Sequence, residues 1–215
     1  MFIMRDQFRR PGEEATLGLH LPFASALALG SAKGEVFIEM VDAESGKVLH
    51  KDHLQNVITL DASILVAILC RDPASRTHGM NMLAVGTGAT GAILSPDAPD
   101  PRQRGLNAEL TLGRKPWSST TFRDASGNAV AIPTNIVDFT VTFDESEAVG
   151  PLNEMGILST ISANPTVKNP NPDVFPNRDV TRDLTTFDIL CNYLTFSVIT
   201  KPNTARLTIT WRLTF

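Results

Sequence analysis

The chain has 215 residues, 42% of them apolar and 20% charged, with a formal net charge of −4 at neutral pH. A chain of this length buries one sizeable core, and the composition is that of an ordinary globular protein. The acidic balance, with no basic run longer than Arg9-Arg10, argues against a nucleic-acid surface, and no apolar run reaches the length of a membrane span.

Residues 1–33 hold no sustained period and are read as an N-terminal arm, with the remaining 34–215 as one domain. Within the arm, "LGLHLPFASALALGSAKG" approaches the pattern of a secretory leader. Glu13 and Glu14 stand where a basic start is wanted, and His20 and Pro22 break the apolar run, so an arm or early strand is expected instead. "EVFIEMVD" and "KVLHKDHLQNVITL" flank "AESG", whose Ser45-Gly46 is turn chemistry, and predict a hairpin. "DASILVAILCRDP" then places Ile64 and Ile68, and Leu65 and Leu69, four apart. With Asp61 as the cap and Pro73 just beyond the end, one short helix is predicted at about 61–71.

Next comes "NMLAVGTGATGAILSPDAPDP", in which Gly86, Gly88 and Gly91 spell a literal G-x-G-x-x-G after an apolar run. A dinucleotide site needs the third glycine to open a helix whose amides bind the pyrophosphate. Pro96, Pro99 and Pro101 follow instead and leave no room for one. The stretch is read as a buried strand ending in a tight Gly-Thr-Gly turn, with no cofactor.

The second half is β. In "DFTVTF", Phe139, Val141 and Phe143 point one way and Thr140 and Thr142 the other. "YLTFSVIT" leads through "KPNTA" into the last strand, where Ala205, Leu207, Ile209, Trp211, Leu213 and Phe215 alternate with Arg206, Thr208, Thr210, Arg212 and Thr214. Between strands, Pro165, Pro170, Pro172 and Pro176 predict a long Pro/Asn-rich loop at about 163–183. The fold class expected is therefore mainly β: an antiparallel β-sandwich with one short α-helix, an irregular N-terminal arm and a long loop.

Candidate chemistry is sparse. His50 and His53, three apart on a strand, point to opposite faces and do not share a metal, and His20 and His78 stand alone. Asp144, Glu145 and Glu147 read as a solvated loop tip rather than a catalytic carboxylate pair. Cys70 and Cys191 are expected as two buried thiols. No catalytic, cofactor-binding or metal-binding residue is assigned, and no enzyme activity is expected.

Five pieces in order resemble a familiar kind of tailed-bacteriophage virion protein. They are a hairpin ending in "QNVIT", the helix "ILVAIL", "LAVGTGATG" followed by "LNAELTLGR", "FTVTFDESEAVGPLNEMGILS", and the C-terminal "FSVITKPNTARLTITWRLTF". Asn56, Gly86 to Gly88, Glu109, Glu154, Gly156, Lys201 and Trp211 fall on the marks of that pattern, which covers roughly 35–215. The N-terminal segment and the insertion after Ser162 depart from it. What the resemblance implies is a non-enzymatic structural subunit of the tail, neck, baseplate or fibre attachment, located in the virion. Its partners would be copies of itself in a symmetric homo-oligomer and neighbouring virion proteins, with no nucleic acid and no membrane. The last strand, ending on an apolar residue, is expected to be covered by a neighbour. The alternative reading is a capsid-decorating or carbohydrate-binding β-sandwich module.

Overall fold

The structure, a computed structural model, describes residues 32–71, 74, 79–172, 174, 184 and 186–215. All but the last two residues of the expected arm lie outside that set. So do Pro73, His78 and positions 173 and 175–183 of the expected loop.

Two antiparallel sheets pack face to face, as the alternating pattern predicts. The first holds, in spatial order, β2 (Val48–Gln55), β1 (Lys33–Asp42), β13 (Ala205–Thr214), β10 (Ile136–Phe143), β8 (Ser119–Arg123) and β9 (Ala129–Val130). The second holds β3 (Val57–Ile58), β12 (Ile189–Lys201), β11 (Gly150–Ser159), β4 (Met82–Gly86) and β7 (Glu109–Pro116). A two-stranded hairpin, β5 (Gly91–Ala92) with β6 (Ser95–Pro96), forms where prolines alone predict irregular chain. Among the described residues there is one α-helix, α1 (Leu60–Arg71), and it lies against β12.

The core sits between the sheets and follows the period of two. In β13, Ala205, Leu207, Ile209, Trp211 and Leu213 are buried, and Val36, Ile38 and Met40 of β1 meet them through direct register partners. Val141 and Phe143 face the same way from β10, opposite Ile209 and Leu207. From the other sheet come Val85, Leu152, Met155, Ile157, Ile189, Cys191 and Leu194. Phe215 departs from its strand's pattern: it is half-exposed, with its backbone tied at both ends to Asn135.

Two local expectations change. "KVLHKDHLQNVITL" is not one strand, because the chain leaves the first sheet at Asn56 and enters the second as β3. Asn56 packs on the bare backbone of Gly34, where an added Cβ would fall 1.6 Å from its Oδ1. The helix cap is Thr59 rather than Asp61: its Oγ1 accepts the Ala62 amide at 3.3 Å, three residues into α1. Asp61 sits in the first helical turn, where its charge still favours the helix dipole, and is buried beside Arg104.

The chain crosses between sheets from β10 to β11 and again from β12 to β13, at the same end of the sandwich. Both corners meet at Lys201, which pairs with Gly150 in register.

Candidate functional site

The glycine turn is built around a carboxylate. Glu154 on β11 is fully buried opposite Gly86 on β4. Its Oε1 accepts the amides of Gly88 at 3.0 Å and Ala108 at 2.8 Å, and its Oε2 accepts the Asn107 amide at 3.0 Å and the Tyr193 hydroxyl at 2.7 Å. Four donors satisfy a group that is otherwise too costly to bury. Burial, the Glu154 charge and the hydrogen bond donated to it together push the Tyr193 phenol far above its ordinary value.

That packing explains the glycines. A Cβ on Gly86 would lie 2.5 Å from the Ala108 carbonyl oxygen, and one on Gly88 would lie 2.5 Å from the Ala108 amide nitrogen. Gly88 also accepts Asn107 Nδ2 at 3.0 Å, while Thr87 donates to Ala108 O at 2.9 Å. A glycine turn with converging amides is an anion cradle, and here the anion is the chain's own side chain.

The acidic turn after β10 is a corner brace rather than a free loop tip. Fully buried Lys201 donates from Nζ to the carbonyls of Asp144 at 2.7 Å and Glu145 at 3.1 Å. Burial lowers its amine below the usual lysine value, while Glu145, Glu147 and Asp144 oppose that fall. Glu147 and Asp144 pair with Lys115 at 2.5 and 3.3 Å, and Glu145 pairs with Arg206 at 3.0 Å. Asp144 and Glu147 thus share Lys115 while Glu145 has Arg206, so all three carboxylates are ion-paired.

Sequence reasoning missed a second buried charge cluster. Arg114 on β7 clamps Glu109 with Nε at 2.9 Å and Nη2 at 2.7 Å, and its Nη1 donates to Asp188 Oδ2 at 2.5 Å. Burial opposes the Arg114 charge, yet Glu109 and Asp188 hold its proton above the ordinary value. Lys168 adds a contact to Glu109 Oε1 at 2.6 Å, and the Asn169 amide donates to Asp188 Oδ2 at 3.1 Å. Glu109, Arg114, Lys168 and Asp188, with Arg104, Leu106, Leu158 and Val174, line a cavity of about 180 Å³. Its parts lie up to 84 positions apart (Arg104 to Asp188), so no local pattern announces it.

The remaining candidates stay apart. His53 stacks on Phe37 at 4.4 Å and stands 3.5 Å from Glu35, facing outward, while His50 pairs with core-facing Met40. Among the described residues no three His, Cys, Asp or Glu side chains are grouped to hold a metal. Cys191 is buried as expected, but Cys70 is exposed, because α1 turns its last residues toward solvent. Among the described residues no helix is long and apolar enough to cross a membrane.

Two surfaces are well defined. Across the outer face of the first sheet, Thr140 bonds Thr210 at 3.1 Å and Thr142 bonds Thr208 at 3.0 Å. Beside them buried Asp138 accepts Arg212 Nε and Arg123 Nε, both at 2.7 Å. On the other side the β5–β6 hairpin is fastened to β12. Val198 N donates to Ile93 O at 3.1 Å, Ser197 Oγ to Leu94 O at 2.7 Å, and Thr195 Oγ1 to Asp97 O at 2.7 Å. Ile93 and Leu94 at its tip are 69% and 77% exposed.

Fold and geometry together define an antiparallel β-sandwich whose buried charges brace turns and corners. No protein-family model matches the chain, and no curated protein matches it.

Proposed function

We propose that the chain is a non-enzymatic structural subunit of a tailed-phage particle, a homo-oligomeric tail, neck, baseplate or fibre-attachment component. The observation that carries this reading is where the marks of the resemblance fall. Gly86, Gly88 and Glu154 form one hydrogen-bonded hub, Lys201 ties the β12–β13 corner to the β10–β11 corner, Trp211 is core, and Glu109 is clamped by Arg114. These positions serve a framework, which is what different subunits of an assembly would share. The firmly seated hairpin presenting Ile93 and Leu94, together with half-exposed Phe215, supplies apolar contacts suited to neighbouring copies.

The carbohydrate-binding alternative loses ground on its aromatic residues. Sugar platforms use exposed Trp and Tyr faces, whereas Trp211 and Tyr193 are buried and Trp117 commits its indole N–H to Met80 O at 2.8 Å. Sedimentation of the purified protein, and protein analysis of gradient-banded particles from the encoding phage, test the proposal. A discrete symmetric oligomer that bands with the particles is expected. A strict monomer absent from the particles overturns it.

A further inference from the structure

The tip of the β5–β6 hairpin is apolar, charge-free and fixed in place. From Gly91 to Pro96 it reads "GAILSP", with no ionisable side chain in a sequence that is 20% charged. Ile93 O accepts from Val198 N and Leu94 O from Ser197 Oγ, both on β12, while Ile93 and Leu94 themselves stay exposed. The backbone of the tip is committed and its side chains are not.

A hollow of matching character lies at the β7 edge of the same sheet. Leu110, Thr111, Leu112, Ser146, Ala148 and Val149 line a space of about 250 Å³, again without an ionisable side chain. Leu112 is 62% exposed, the highest value for a large apolar residue in any described β-strand, and Val149 is 43% exposed. Ala148 shapes the wall. It is buried with a φ of 50°, the one positive value among the described non-glycine residues, and its amide donates to Leu112 O at 3.1 Å. A left-handed alanine is unfavourable. Here it fastens the turn between β10 and β11 against β7, with Val149 at the surface of the same hollow.

The tip does not reach the hollow of its own chain. β11 and β4 stand between β12 and β7, which puts those strands about 14 Å apart at the usual spacing. The occupant therefore comes from elsewhere. The volume falls below the roughly 300–1,000 Å³ of small-molecule sites, and the walls suit aliphatic side chains. An uncharged apolar knob entering an uncharged hollow leaves no charge buried on either side, as at the centres of protein interfaces. Each copy carries both halves, so the contact can repeat head to tail and close into a ring.

We propose that the Ile93–Leu94 tip of one copy seats in the Leu112–Val149 hollow of the next copy. This contact rests on the homo-oligomer of the proposed function and names the surfaces that build it.

Copies carrying Leu94→Cys are co-expressed with copies carrying Leu112→Cys or Val149→Cys, all in a Cys70→Ser background that removes the exposed native thiol. All three engineered positions are exposed, so the substitutions spare the core. Oxidation, or a short bismaleimide, should join the mixed copies into covalent dimers and give none with any variant alone. A chain carrying both Leu94→Cys and Leu112→Cys should give a ladder beyond the dimer, because every link leaves a free tip and a free hollow. Sedimentation of the same samples before cross-linking separates this contact from the reading beneath it. An oligomer without the mixed cross-link overturns the tip-in-hollow contact and leaves the homo-oligomer standing. A dimer from Leu94→Cys alone does the same, since tips then meet tips. A monomer at every concentration overturns both.

Discussion

Glu154 on β11 accepts the amide of Gly88, 66 residues away in sequence, at 3.0 Å, so the glycine turn closes on a carboxylate of the same chain. The contact holds β4, β11 and the Asn107–Ala108 approach to β7 in one network. Glu154→Gln puts an amide donor among the four groups that donate to the carboxylate. Stranding one or two of them costs about 1–6 kcal/mol, at roughly 1–3 kcal/mol each. Gly88→Ala, which drives a Cβ into the Ala108 backbone, costs at least about 1–3 kcal/mol. Urea denaturation measures both, and losses under about 0.5 kcal/mol contradict the hub.

Tyr193 is the one tyrosine of the sequence, so phenolate absorbance reports it alone. Its folded-state pKa is raised by burial and by Glu154. The stability this contributes is present below the unfolded value, about 10, and is lost as pH climbs above it. An alkaline titration should therefore show no ionisation near pH 10, and phenolate should appear together with unfolding. A reversible, native-state transition near 10 contradicts the buried bond.

Asp138 titrates in the opposite direction. Burial raises its pKa, but the hydrogen bonds from Arg212 and Arg123 outweigh that and hold it below the ordinary carboxylate range. Its contribution is present above about pH 4 and drains away as pH falls from there through the lowered folded value. Asp138→Asn should lower Tm at neutral pH, with the gap to wild type shrinking below about pH 4. A gap that is constant from pH 7 to pH 3 contradicts the ion triad.

Trp211→Ala removes a fully buried aromatic from the middle of β13, between Val36 and Phe139 in register, and should cost about 3–5 kcal/mol. Calorimetric melting decides this. An unchanged Tm means the apolar face of that strand is not the core.

Ile93→Glu with Leu94→Glu places charge on a hairpin tip whose backbone, not its side chains, makes the contacts with β12. If the chain forms the proposed homo-oligomer through this tip, the double variant should melt within about 2 °C of wild type but sediment as a smaller species. An unaltered oligomer removes the hairpin from the interface.

The fold was legible wherever a residue's neighbours in sequence decide its environment. Alternation in "ARLTITWRLTF" and the four-residue spacing of Ile64, Leu65, Ile68 and Leu69 each reflect one face meeting one core. Legibility stops where the partner is distant. Nothing in "LNEMG" marks Glu154 as buried, because its donors come from Gly88, Asn107, Ala108 and Tyr193. Nothing in "DPRQRG" marks Arg104 as buried for the same reason, since Asp61 and the cavity reach it only after folding. The break at Asn56 was hidden too. It depends on the missing side chain of Gly34, a neighbour across the sheet.

The central claim, that this chain builds a tailed-phage particle, is tested most directly by electron microscopy of particles labelled with antibody against it. Label at one fixed structural position, the same on every particle, is the predicted result. Particles that carry the protein nowhere contradict it.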